Sequence, residues 1–440
     1  MYKKFKFFFG IDKLIAKSLL KGLWIGFSNF ITLYFITLYF DPILQGFYFT
    51  FYSIIALQLF VEMGLTFSLV QLVSHEMAHL SLDSSGAAQG DPSIKRRLQT
   101  IIAFTYKWFG FGALLFLIIL IPFGLFFFGD SVDVIIPWII LVTATAFTLI
   151  VSPTLSIIEG TGRISDVITV KFLQSFISSL FMWFFLVNNL GLYSAAFGSL
   201  IALIVCVIWL YIRFRNFFID IFRFEYPKPG INWRREIFPF QWRIAVSWIS
   251  GYFIFYSLTP LLFKQAGPTI SGQFGASMQI FSILNAGAIV WISTKMPIFG
   301  MLVAKENYKE LKKLFFKSFF QSTLIIVIAI LVAGFFYWYL VFTKASIVSK
   351  ILPFKGLALL AISSFLSHIV FCMASYLRSH KKEPFMVISI LSAISIFSLA
   401  VLLIPKYSYM GAVFSYFIGT LLFGFIGGGI IFINDQKRNY

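Results

Sequence analysis

The chain is poor in charge: only 12% of its 440 residues are Asp, Glu, Lys or Arg, against 59% hydrophobic. A soluble domain carries about 25% charged and roughly 45–50% apolar residues, so a soluble globular fold is excluded. Acid is scarcest, with 17 Asp and Glu beside 35 Lys and Arg. Cys206 and Cys372 both fall in apolar runs, too few for a disulfide framework and no metal site by themselves. No GxxxxGK[ST] phosphate loop occurs, which excludes an ATP site of that kind. No GxSxG nucleophile elbow occurs either. Work across a membrane would then draw on an ion gradient, the membrane potential or the substrate gradient.

What the chain has is apolar length. Runs near 20 residues cross a hydrocarbon core of about 30 Å, and in lipid such runs must be helices. The runs predict spans near 18–40, 46–73, 100–129, 134–158, 165–187, 191–212, 238–263, 270–300, 317–342, 352–377, 385–404 and 410–433. The expected fold is an all-α polytopic membrane protein of about 12 transmembrane helices. The 58 phenylalanines read as lipid-facing bulk. Positive charge falls on alternate loops. Only Lys264, Lys344, Lys350, Lys355 and Lys406 of the 35 basic residues lie on the other side. By the positive-inside rule both termini are cytoplasmic. The +18 net charge therefore reads as contact with anionic lipid rather than with nucleic acid. The basic start, MYKKFKFFFGIDKLIAKSLLK, reads as an uncleaved interfacial lead-in. The external loops are all short, from Asp41–Gln45 to Pro405–Tyr409, which disfavours a sugar polymerase built on a large external loop.

The longest internal connection divides the chain into residues 1–212, a cytoplasmic linker 213–237, and residues 238–440. Its RFRNFFIDIFRFEYPKP mixes basic and apolar residues at helical spacing, as a surface-lying helix does, with Pro227 and Pro229 to end it. The halves look related. DPILQGFYFTFYSIIALQLF from Asp41 aligns without gaps on GPTISGQFGASMQIFSILNA, so that Pro42 falls on Pro268 and Gly46 on Gly272. SAAF at Ser194 likewise falls near GAVF at Gly411. Each half begins and ends inside, so the six-helix repeats are parallel and pseudo-symmetric, one design used by transporters.

His75-Glu76-Met77-Ala78-His79 matches HExxH, which on a helix presents two imidazoles one turn apart with a glutamate to activate zinc-bound water. A third ligand is missing, apart from Asp83 in a Ser/Gly-rich stretch that looks mobile, and a solvated helix end is the plainer account. Ionisable groups within spans are costly and default to functional candidates. Glu62 is a candidate for ion coupling or gating. Lys171, Arg243 and Lys295 either snorkel to the interface or line a cationic cavity that holds a phosphate. Asn29, Gln58, Gln273, Gln279 and Asn285 supply polar groups, and Gln71 and Gln241 lie among them.

The stretch Phe40–Ser74 resembles the first hairpin of the polysaccharide biosynthesis proteins, the O-antigen-type flippases. These belong to the multidrug/oligosaccharidyl-lipid/polysaccharide exporter superfamily. The carrying residues are Asp41-Pro42, Gly46, Tyr48 and Glu62-Met63-Gly64-Leu65, then Gly160-Thr161-Gly162-Arg163 after the fourth span and Pro239 before the seventh. The chain departs from many relatives at Tyr256-Ser257-Leu258-Thr259-Pro260, where they carry an Asp-Arg-Tyr-like group. The resemblance implies a MATE-like fold in the bacterial cytoplasmic membrane and no cofactor. It implies flipping of an undecaprenyl-pyrophosphate-linked oligosaccharide to the periplasmic leaflet by alternating access, with a polysaccharide polymerase and a chain-length regulator as partners. Arg243 and Lys295 would hold the pyrophosphate, and Asn29, Gln58, Gln273, Gln279 and Asn285 the glycan. Rival readings are a drug/cation antiporter of the same superfamily, a lipid-linked peptidoglycan precursor flippase and an intramembrane zinc protease through His75 and His79.

Overall fold

A computed structural model describes residues 13–83, 88–129, 131–223, 232–233, 237–380 and 385–438. Pro227 and Pro229 of the linker, and the basic residues Lys3, Lys4 and Lys6, lie outside them. The described residues are all-α apart from one short hairpin, and 12 helices are long and apolar enough to cross a membrane. Several spans run past the expected limits on the charge-rich side: the third begins at Pro92, the sixth reaches Phe222 and the ninth begins at Tyr308. Hydropathy marks only the stretch that lipid must cover, whereas backbone hydrogen bonding continues into the basic flank. The linker's RFRNFFIDIFR accordingly continues the sixth helix, Tyr193–Arg223.

The chain forms two compact units, one of Met1–Ser28 with Leu57–Ala245, the other of Asn29–Ala56 with Val246–Tyr440. The boundary runs through the first, second and seventh spans, so the connected end of the first hairpin, Asn29–Ala56, belongs to the second unit.

In the first unit the third to sixth spans pack around Trp138, Leu98, Ile101, Phe109, Ile157 and Cys206, all buried. Trp138 lies against Gly124, where no side chain would fit, and its indole donates to the Leu120 carbonyl at 2.9 Å. The Gly160–Arg163 turn has a backbone reason. A Cβ at Gly160 would strike Val73, and Gly162 has φ +86°, which favours glycine. On the charge-rich side, Leu80–Leu82 (β1) pairs antiparallel with Ala88–Gly90 (β2). Asp220 of the sixth helix accepts from the Ala88 amide at 3.2 Å and ties this hairpin down. The Ser/Gly-rich stretch expected to be mobile is therefore flanked by paired strands. Residues 84–87 between them are outside the described set.

In the second unit the helix Pro42–Ile55 packs along the helix Pro268–Ser293. Both start on proline, one behind Asp41, whose carboxylate accepts from the Leu44 amide at 2.7 Å, the other behind Gly267 at φ +91°. Residues that the repeat equates meet here. A Cβ on Gly46 would overlap the Pro268 carbonyl, and one on Gly272 would come within 2.7 Å of the Gly46 nitrogen and 2.9 Å of the Pro42 oxygen. Around this contact Gln45 donates to the carbonyls of Gly272 (3.0 Å) and Lys350 (2.7 Å). Lys350 ends the short 3-10 helix Ser346–Lys350, and its ammonium donates to the Thr37 and Phe40 carbonyls at 2.7 and 2.6 Å. Burial lowers the Lys350 pKa, and the Asp41 carboxylate partly offsets this. Further in, Ser271 spends its hydroxyl proton on the Thr259 carbonyl (2.9 Å), so Thr50, 3.1 Å away, donates to Ser271.

Gly46→Ala should cost about 1–3 kcal/mol through forced backbone separation, whereas Gly22→Ala, with open space around it, should be neutral or stabilising. Thermal melting of the purified protein in detergent reads both; equal melting temperatures for the two variants would contradict the contact. Lys350→Met should lower the melting point as well, because two carbonyls lose a charged donor, each bond worth about 1.5–3 kcal/mol.

Candidate functional site

The second span is not one helix. It runs as Pro42–Ile55, a 3-10 turn at Ala56–Gln58, one helical turn at Leu59–Glu62, and Leu65–Met77. Between the last two, Met63 and Gly64 both take left-handed backbone, φ 43° and 71°. Such a break frees carbonyls that lipid cannot satisfy. Within the first unit, Trp108 donates its indole N–H to the Val61 carbonyl (2.9 Å) and Gln241 its amide to the Met63 carbonyl (2.7 Å). The Gln241 oxygen then accepts from Ser68 at 2.7 Å. Gly112 allows the third span to close on Val61, since a Cβ there would strike that side chain. Glu62 stands on the last turn before the break, half-buried, with no hydrogen-bond or charge partner among the described residues. A lone carboxylate on a discontinuous membrane helix is a place where a cation or proton can be held.

The remaining candidates divide between the units. Gln58 and Arg243 join Glu62 in the first, while Asn29, Gln273, Gln279, Asn285 and Lys295 lie in the second. Arg243 is exposed three residues into the seventh span and lies 5.7 Å from the Trp242 ring centre, an aromatic neighbour that a snorkelling guanidinium also uses. Lys171 is paired with Glu159 at 3.5 Å, so its charge is already partly neutralised. Asn29 is exposed, and Gln58 and Gln279 are half-buried; none of the three has a partner among the described residues. Gln273 is engaged, donating to the Ser349 carbonyl at 2.9 Å.

Asn285 belongs to a polar layer set between two apolar clusters of the second unit, one around Phe274 and Phe281, the other around Ile292 and Phe315. Its amide donates to the Ser364 hydroxyl, leaving Oδ1 buried without a partner. One turn along, Ser322 gives its proton to the Ala288 carbonyl at 2.7 Å. His368 Nε2, 3.2 Å from that hydroxyl, must then be the donor. That choice makes Nδ1 a bare acceptor, and it too is buried and unpartnered. Sequence reasoning misses His368, Ser322 and Ser364 because serine is common in membrane helices and a lone histidine is usually packing.

Lys295 sits where the eighth span bends. The helix ends at Ser293 and resumes as Met296–Ala304 with Pro297 in its first turn. There it lines a cavity of about 380 Å³ with Val290, Trp291, Thr294, Lys317, Ser318 and Gln321. No carboxylate is among these lining residues. In the sequence Lys317 is only one of the basic residues at a span edge.

The HExxH motif takes another form. Its helix ends at Met77, so His79 lies in the turn that leads to β1. Glu76 is buried rather than solvated and is held by Arg97 at 3.0 Å. The His75 and His79 rings stand 6.3 Å apart, and the His75 side chain is 77% exposed. Among the described residues no group of three or more His, Cys, Asp or Glu side chains is gathered to hold a metal. A glutamate already committed to arginine is poorly placed to activate water.

No protein-family model and no curated protein matches the chain. Solved structures do match its fold over nearly full length. An inward-facing multidrug resistance MATE family transporter of the MOP superfamily superposes with a TM-score of 0.65 at 14% identity, over 98% of this chain and 97% of the other. The MATE multidrug transporter DinF-BH, solved as a complex, gives 0.67 at 15%, over 96% and 95%. An outward-facing MATE transporter gives 0.61 at 13%, over 97% and 96%. The fold is thus the MATE-like arrangement of twelve helices.

Proposed function

We propose that the protein is an exporter that works by alternating access and that its cargo is a lipid-linked oligosaccharide, flipped through its pyrophosphate headgroup to the external leaflet. The observation that carries this reading is the charge available for binding. Arg243 and Lys295 have no carboxylate partner among the described residues, and Lys295 shares a cavity with Lys317. Paired cations next to a polar, hydroxyl-bearing surface suit a phosphate oxyanion through charge-assisted hydrogen bonds. The positive-inside bias would put both termini, and the Lys295 end of the eighth span, in the cytoplasm, where such a lipid is assembled. The short external loops argue against a polymerase acting on the same glycan.

A multidrug or cation exporter is the second reading. The solved neighbours are described as multidrug transporters, and Glu62 on its broken helix is the carboxylate such a cargo would need. The two readings part on simple measurements. Deletion of the gene should leave lipid-linked oligosaccharide on the cytoplasmic leaflet and remove surface polysaccharide. Lys295→Glu should reproduce that loss by at least tenfold while the protein still inserts and melts cooperatively. Normal surface polysaccharide in both strains, with a changed tolerance to cationic drugs that Glu62→Gln also produces, would replace the flippase by the antiporter. His75→Ala should leave export untouched in either case, since its side chain faces solvent; a loss of membrane-bound zinc together with loss of function would revive the protease reading.

A further inference from the structure

The cavity at the bend of the eighth span has features that transport of a cargo does not require. It is lined in part by the ninth span, the least buried of the twelve within the described residues, with only 6% of its apolar window buried. Phe316, Phe320 and Leu324 on that helix and Trp291 on the eighth are all exposed beside it. Its depth can be read from helix rise. From Pro268 to Lys295 the chain rises about 40 Å, and from Phe342 back to Lys317 about 38 Å, at about 1.5 Å per residue. Both distances exceed a hydrocarbon core of about 30 Å, which would put the two lysines at the level of the lipid headgroups on the charge-rich side. Two lysines, the Thr294 and Ser318 hydroxyls and the Gln321 amide converge there, with no acidic side chain among the lining residues. Neither lysine has a partner among the described residues.

We propose that this notch is a binding site for the phosphate of a membrane lipid, with Lys295 and Lys317 clamping the headgroup and its chains lying along the exposed apolar face of the ninth span. Basic pockets between helices on the positively charged side of a membrane protein take anionic headgroups in this way. The site differs from a mobile surface lysine patch because one cation is half-buried at a proline bend and Ser318 beneath it is buried. Lys295 is common to the notch and to the proposed cargo set, but lipid retention can be read without any transport, so either idea can fail alone.

The test is lipid retention by native mass spectrometry of the purified full chain, mixed with phosphatidylglycerol, phosphatidylcholine or a polyprenyl diphosphate. Phosphatidylglycerol should bind in preference to phosphatidylcholine. Lys295→Gln with Lys317→Gln should weaken it roughly 25-fold, at about fivefold per lysine, while Lys295→Arg with Lys317→Arg should keep it. Competition by the polyprenyl diphosphate at equal or lower concentration would identify the cargo's own headgroup as the occupant; absence of competition would identify an ordinary anionic phospholipid. Thr294→Trp, which fills the notch and leaves both charges, should abolish retention even if the double lysine variant does not fold. Equal binding of phosphatidylcholine and phosphatidylglycerol by the wild type, or unchanged phosphatidylglycerol binding by Thr294→Trp, would overturn the proposal.

Discussion

A carbonyl that loses its helical partner inside a membrane has no water to turn to, and the functional features of this protein follow from how that shortage is met. The second, seventh and eighth spans are all interrupted. At the second, the Trp108 indole and the Gln241 amide cover the Val61 and Met63 carbonyls, so the helix can break beside Glu62. At the seventh, Pro260 follows the interruption at Tyr256–Ser257, and the Thr259 carbonyl of the helix that resumes there also accepts from the Ser271 hydroxyl. At the eighth, the helix breaks after Ser293 and resumes at Met296, and there the chain carries Lys295 beside a cavity.

Hydrophobic burial does little to bring helices together when the surroundings are as apolar as the side chains. Specific contact has to come from close backbone approach and from hydrogen bonds. In the second unit Gly46 and Gly272 meet the Pro42 and Pro268 backbones, a contact that joins residues corresponding in the two repeats. Equivalent positions meet each other only near the axis that relates them, so the packing supports the parallel repeat independently of the letters that suggested it. Beyond this contact the repeats diverge. The counterpart of Glu62, 226 residues on, is Ala288, whose carbonyl is taken by Ser322 in a continuous helix. An acidic break in one repeat thus corresponds to a hydroxyl-lined packing layer in the other.

Much of the architecture is legible in the sequence because lipid imposes it one residue at a time. Apolar length and loop charge act locally, so span number and approximate limits come directly from composition. The Gly160–Arg163 turn and the Pro42/Pro268 starts are legible for the same reason, since glycine and proline carry their backbone preference with them. What stays hidden depends on pairs far apart in the chain. Nothing local in HEMAH says that Glu76 turns inward to Arg97, or that the helix stops before His79. Lys317 looks like any basic residue at a span edge until the bend at Pro297 brings Lys295 to the same cavity. Lys350 stands out only as one of five exceptions to the charge bias, and its reason is structural: it caps the carbonyl end of the first helix.

The same logic separates residues whose loss should be felt from those whose loss should not. Phenylalanine is the most conspicuous feature of the composition, yet many of these rings, such as Phe126, Phe320, Phe335 and Phe342, face outward, where lipid replaces their contacts at little cost. A buried hydroxyl or a glycine in contact with backbone has no such substitute. Replacing Ser322 leaves the His368 Nε2–H without its acceptor, in a layer where the described residues already leave acceptors on Asn285 and His368 unpartnered. Unmet acceptors in an apolar interior are costly to keep, so this layer has little tolerance for losing a further hydrogen bond.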